Sequence, residues 1–131
     1  MPNLQIDISI GEAADRLTIL KIKLQKIKDA AKIANIIKEH DLLLKSISSY
    51  PDGDVLVSKD SLYKRLQETN KELWDVEDKL RNRERIKIFD KNFIELARSV
   101  YILNDKRAKI KKDINLKYKS ELVEEKSYEK Y

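Results

Sequence analysis

From Glu12 to Ile47 the chain carries no glycine and no proline, and its apolar residues recur every three or four positions. Together these two facts leave few folds open. A stretch without breakers holds one backbone conformation, and a stripe at that spacing is one face of a helix. The stripe runs Ile10, Ala13, Leu17, Leu20, Leu24, Ile27, Ala31, Ala34, Ile37, Asp41, Leu44. Ile19, Ile22, Ile33 and Ile36 lie off it and widen it. The same economy holds throughout. The 131 residues include two Gly and two Pro, with 39% charged and 41% hydrophobic, the balance of long helices joined by little loop. The length is that of one domain.

Local signals divide the rest. Leu4, Ile6, Ile8 and Ile10 alternate with polar residues, which predicts a short N-terminal strand over about 4–8. Ser9-Ile10-Gly11-Glu12 has the form of a capping box, so the first helix starts near Ile10. Ser48–Asp54, "SSYPDGD", is the one clear loop. Val55-Leu56-Val57 is a candidate second strand at 55–57. Ser58 or Asp60 caps a second helix with Leu62, Leu66, Thr69, Leu73, Val76 and Leu80 on one line, and Trp74 beside it. Asp90 caps a third, with Ile94, Ala97, Tyr101, Asn104 and Ala108 in line. The expectation is an all-α fold: a single helical-bundle domain, 1–131, of three long antiparallel helices at about 10–49, 60–88 and 91–118, with a polar C-terminal tail at 120–131.

Helix length bears on assembly. At about 1.5 Å per residue, a helix over 10–49 runs roughly 60 Å and its two partners roughly 42 Å. The first helix then overhangs the other two. Either it breaks near Asp29, which is able to cap a new helix, or a second copy of the chain covers the overhang. Ala30 and Ala31 argue against a break, so a homodimer is the expectation.

Net charge is +5, and it falls in blocks. Glu68–Asp78 is acidic, whereas Lys79–Lys91 and Lys106–Lys119 are basic. Such alternation suits helix faces that complement each other or a protein partner more than one broad polyanion site. With no cysteine there are no disulfides and no thiolate metal sites. No apolar run approaches the ~18–20 residues of a membrane span, and "MPNLQIDISI" lacks the pattern of a signal peptide. A cytoplasmic protein away from membranes is expected.

Three groups of residues are candidates for a site. The first is a polar line within apolar stripes: Asn70 and Glu77 on the second helix, and Arg98, Tyr101, Asn104 and Arg107 on the third. Polar groups on a buried line must pair, so Glu77 is expected to meet Arg98 or Arg107, with the amides bridging. Such a network either fixes helix register, as a buried Asn does in coiled coils, or lines a ligand pocket. The second group is acidic: Glu12 and Asp15, with Glu72, Asp75 and Asp78. Carboxylates three apart on facing helices are able to hold Mg²⁺, in the manner of helical nucleotide pyrophosphohydrolases. The plainer account is that acids suit a helix start and pair with bases four residues on, Asp75 with Lys79 and Glu77 with Arg81. The third group is the basic face of Arg107, Lys109, Lys111, Lys112, Lys117 and Lys119. It has the charge for nucleic acid but only Tyr118 to stack on a base, so a solvated face is the better account. The single His40 has no second ligand or nucleophile near it. The sequence implies no catalytic residue and no cofactor.

The runs "LWDVED", "FIELARSVY", "ND-RA" and "EEKSY" resemble an uncharacterised family of small helical bacterial proteins, a domain of unknown function; "ISIGEAADRLTILKIKLQKI" fits it too. The resemblance covers nearly the whole chain. Members of such families are sometimes encoded near glycan-building enzymes. The resemblance implies a compact helical domain with an accessory role linked to glycan biosynthesis, and it names no reaction. The function expected is that of a non-catalytic interaction or accessory protein. The alternatives are a Mg²⁺-dependent pyrophosphohydrolase-like enzyme and a weak nucleic-acid binder.

Overall fold

The computed structural model describes residues 2–131, and all of its regular structure is helical. Five helices follow in order: α1 (Ile10–Lys26), α2 (Ala30–Ser48), α3 (Gly53–Lys59), α4 (Ser61–Ile86) and α5 (Lys91–Lys117). The all-α class stands, but the expected three-helix count does not, because the first long helix is two and Gly53–Lys59 forms a short helix of its own.

The break falls at Asp29. Ile27 takes an extended backbone, with its N–H still bonded to the Lys23 carbonyl at 2.8 Å. The Asp29 side chain then accepts from the Lys32 N–H at 3.0 Å and starts α2. The cap outweighs the helix propensity of Ala30 and Ala31 because fold-back lets both halves bury an apolar face. It also re-phases the stripe. Ala31, Ala34 and Ile37 of the continuous reading are exposed, whereas Ile36 and Ile47 are buried, with Ile33, Leu43 and Leu44 partly so. The overhang that argued for a second copy does not exist.

Neither expected strand forms. Residues 2–9 form no regular structure, and Leu4 is 90% exposed. Alternation shows which faces a strand would have, but a strand also needs a neighbour for its backbone groups. Val55–Val57 lies inside α3, which drives Leu56 fully into the core.

α1 is the central element. It packs on α2 along one side and on α4 and α5 along the other. For that reason it buries Ala13, Ala14, Leu17, Leu20 and Ile22 together with the polar Asp15 and Thr18. Opposite these lie Tyr63 and Leu66 of α4, and Ile110 and Ile114 of α5. Each fully buried aliphatic contributes about 1.5–3 kcal/mol. Gly11 sets how closely α1 approaches α5. A Cβ there would collide with the Lys111 carbonyl and lie 2.7 Å from Asn115 Oδ1, and the Gly11 N–H donates to that same Oδ1 at 2.6 Å.

Asp60 joins the far ends of α4 and α5. Its buried carboxylate caps α4 through the Leu62 N–H at 2.8 Å and accepts from Lys117 Nζ at 2.7 Å and from the Tyr118 hydroxyl. Burial acts to raise its pKa, but these donors outweigh burial and hold it below the usual carboxylate range. The α4–α5 hairpin turns at Lys87, which is in the left-handed region at φ 58°, and Asp90 caps α5 through the Phe93 N–H at 3.0 Å.

Two outcomes follow. Gly11→Ala should cost about 1–3 kcal/mol through overpacking against a backbone that cannot yield, read as a lowered urea midpoint. A folded-state pKa below the unfolded one gives stability that is complete above the unfolded value and lost as pH falls through the folded value. Unfolding midpoints should therefore decline below about pH 4, and Asp60→Asn should flatten that acid limb.

Candidate functional site

A buried polar network sits where α1, α4 and α5 meet. Asn70 of α4 is 4% exposed. Its Nδ2 donates to Asp15 Oδ1 at 2.8 Å and to Thr18 Oγ1 at 2.8 Å, both on α1. Thr18 passes its own proton to the Asp15 carbonyl at 2.7 Å, so its oxygen is free to accept. The amide orientation follows from the partners, because the carboxylate side needs a donor. Oδ1 of Asn70 thus faces α5, where Arg107 Nη1 donates to it at 3.5 Å.

One turn further along α5, Lys111 is the hub of the acids. Its side chain is only 10% exposed, and its Nζ lies 2.6 Å from Glu12, 3.6 Å from Glu124 and 3.9 Å from Asp15. Burial works to raise the pKa of Glu12, but hydrogen bonds from Lys111 and Arg16 prevail and lower it. Lys111 and Arg107 stand four residues apart, yet they differ in partners. Among the described residues Lys111 touches three carboxylates, whereas Arg107 makes no ion pair.

Two cavities open on either side of this ridge. One, about 480 Å³, lies between Ile19 of α1, the Asn70–Arg81 stretch of α4, including Leu73, Trp74, Glu77 and Asp78, and Asn104 and Arg107 of α5. The other, about 610 Å³, lies between α5 and the C-terminal tail. The tail has no helix. It returns along α5, with Glu125 on Lys112 at 3.2 Å and the Tyr131 hydroxyl donating to Asp105 at 2.6 Å. The Tyr131 ring meets Tyr101 edge to face, with centroids 5.2 Å apart.

The six residues of the expected polar line meet different fates. Asn70 is the centre of a network, but its partners are Asp15 and Thr18, not Glu77. Glu77 pairs with Arg81 at 3.8 Å, and Arg98 pairs with Glu95 at 3.2 Å on its own helix. The expected Glu77–Arg98 bridge is not made. Asn70, Glu77, Asn104 and Arg107 line the smaller cavity; Tyr101, Asn104 and Arg107 line the larger; Arg98 lines neither. Trp74 is not among the expected site residues, and Lys111 is expected only in the basic face and not on the polar line. Lys111 continues the line through Asn104 and Arg107, which was the available signal, but its basic neighbours read as a solvated face.

The acidic set does not converge. Glu12 and Asp15 face Lys111, Asp75 lies 3.9 Å from Lys26, and among the described residues no group of three His, Cys, Asp or Glu is placed to hold a metal ion. The basic face is largely taken up internally: Lys109 by Asp113, Lys112 by Glu125, Lys117 by Asp60. No helix among the described residues is long and apolar enough to cross a membrane.

Fold and site together define a small helical domain with a buried carboxyl–amide–cation network. The chain belongs to the family of unknown function DUF6165, whose model matches residues 4–131. No curated protein and no solved structure matches it.

Asn70→Leu should leave Asp15 and Arg107 without their bridge and cost about 1–3 kcal/mol. Thr18→Val removes one acceptor for Asn70 and the donor to the Asp15 carbonyl but leaves the Asp15–Asn70–Arg107 chain in place, and should cost less. Chemical denaturation of both variants gives the ordering.

Proposed function

We propose that this protein is a non-catalytic interaction protein that pairs with a second copy through the outer half of its α4–α5 hairpin. The observation that carries the reading is the arm itself. α1 ends near Asp75, where Lys26 meets it. α4 buries no residue beyond Leu73, and α5 buries none before Ile110. Beyond that point the two helices pack mainly on each other, with the tail's Tyr131 reaching Tyr101 of α5. Ile86, Ile88, Phe89, Ile94 and Ile102 are each more than 40% exposed there. A cluster of large apolar side chains on a protruding hairpin is the mark of an association surface.

Charge favours a second copy as the occupant. The acidic block Glu68–Asp78 is followed on the same helix by the basic block Lys79–Lys91. Two such arms laid antiparallel bring each acidic block against the other's basic block. That is the self-complementary arrangement a two-fold interface needs. In this reading the domain works as an accessory protein of the cytosol, a compartment that suits a chain without cysteine, and the link to glycan biosynthesis remains part of the proposal.

Light scattering at micromolar concentration should give about twice 15.4 kDa. Phe89→Asp with Ile94→Asp should return it to a single chain while far-ultraviolet dichroism stays unchanged. A wild-type protein that scatters as a monomer at every accessible concentration overturns the reading.

A further inference from the structure

We infer that Arg107 and the smaller cavity form a binding site for a small organic oxyanion, a phosphate or carboxylate group carried on a flat apolar body. This site borders the hairpin arm, whose Trp74, Glu77, Asp78 and Arg81 form part of its wall, and its support comes from Arg107 and not from the pairing of two copies.

The first support is charge. Where Arg107 and Lys111 stand a turn apart on α5, the protein supplies three carboxylates to Lys111 and none within 4.0 Å, among the described residues, to Arg107. Glu124 is shared with Lys126 at 3.0 Å, and Glu12 with Arg16 at 3.1 Å. Every acid around the hub is therefore engaged. Glu124 holds Lys126 above the usual lysine range, and Arg107 lies close enough to work against that rise. One positive charge is left over, and it is half-buried.

The second support is preorganisation. Arg107 Nη1 donates to Asn70 Oδ1, whose amide is itself fixed by Asp15 and Thr18. A guanidinium has five N–H donors. One is used at 3.5 Å, and the planar fork remains open toward a bidentate oxyanion. Arg107 lines the cavity directly.

The third support is the rest of the wall. Ile19, Leu73 and Trp74 give an apolar side, and Asn104 adds an amide close to Arg107 along α5. Glu77 is held by Arg81, which leaves Asp78 as an acceptor at the far side. An acid with a ring for Trp74, and a hydroxyl or amine reaching Asp78, matches this order of groups. A volume of about 480 Å³ is of the size that holds a small organic ligand.

Trp74 is the only tryptophan in the chain, so its indole N–H gives one resonance that reports on the cavity alone. Full-length ¹⁵N-labelled protein would be titrated with phenyl phosphate, benzoate, inorganic phosphate and, as the uncharged ring, benzyl alcohol. The expected result is a saturable shift of the Trp74 resonance with phenyl phosphate or benzoate, and the stronger of the two assigns the head group. Benzyl alcohol should leave it in place, and inorganic phosphate should bind more weakly than the ring-bearing acids. Arg107→Ala should weaken the binding at least tenfold, whereas Arg98→Ala, on a residue that lines neither cavity, should leave it unchanged. Arg107→Lys keeps the charge but loses the fork; should the alanine variant fail to fold, a several-fold loss in the lysine variant reads the same point. A Trp74 resonance unmoved by every acid, or moved equally by benzyl alcohol, or moved equally in the Arg107 variants, overturns the proposal.

Discussion

The close approach of α1 to α5 at Gly11 is the constraint on which the rest depends. With no Cβ in the way, the first turn of α1 lies against the Lys111 carbonyl, and its N–H finds Asn115. That contact sets both the depth and the register of α1. One position on, Glu12 meets Lys111; a turn on, Asp15 and Thr18 meet Asn70. A larger residue at position 11 would lift α1 and open each of these pairs. The central helix is able to carry polar groups inward only because its register is held this tightly.

Enclosure of α1 on two sides then explains the uneven architecture. Three helices bury the inner half of the domain, and α2 covers the remaining side of α1. α4 and α5 are longer than α1, so their outer halves extend past it as a pair. The charged and polar groups divide in the same way. Inside, they are few and, apart from the Tyr63 hydroxyl, hydrogen-bonded, where an unpaired group costs most. Outside, ion pairs such as Lys87–Glu84 are exposed and contribute little. Arg107 belongs to neither group. It is hydrogen-bonded to Asn70 and lines both cavities.

Residue patterns showed some of this and concealed the rest for identifiable reasons. Ser9, Asp60 and Asp90 were legible as helix starts because an N-cap acts within one turn. Asp29 carried the same signal but competed with two alanines, and the deciding benefit, burial of α2 on α1, is a long-range effect. The strand at 4–8 failed for the converse reason. Its alternation is real, but no second strand lies beside it. Among the polar residues, Asn70 was singled out because an amide within a leucine stripe needs partners. Its partners could not be named, since Asp15 and Thr18 lie more than fifty positions away and the rotation of α1 against α4 is a matter of packing.

By itself, then, the sequence determined that this protein is helical, that two of its helices form a long hairpin across Asp90, and that Asn70 needs partners inside. These follow from spacing and from caps, whose energies are local. Tertiary structure alone decided that the first helix folds back, that Glu77 and Arg98 stay apart, and that Lys111 gathers the acids while Arg107 goes without one. Those outcomes turn on which faces meet across the bundle. A rotation of one helix by a single residue would change them without altering any local preference.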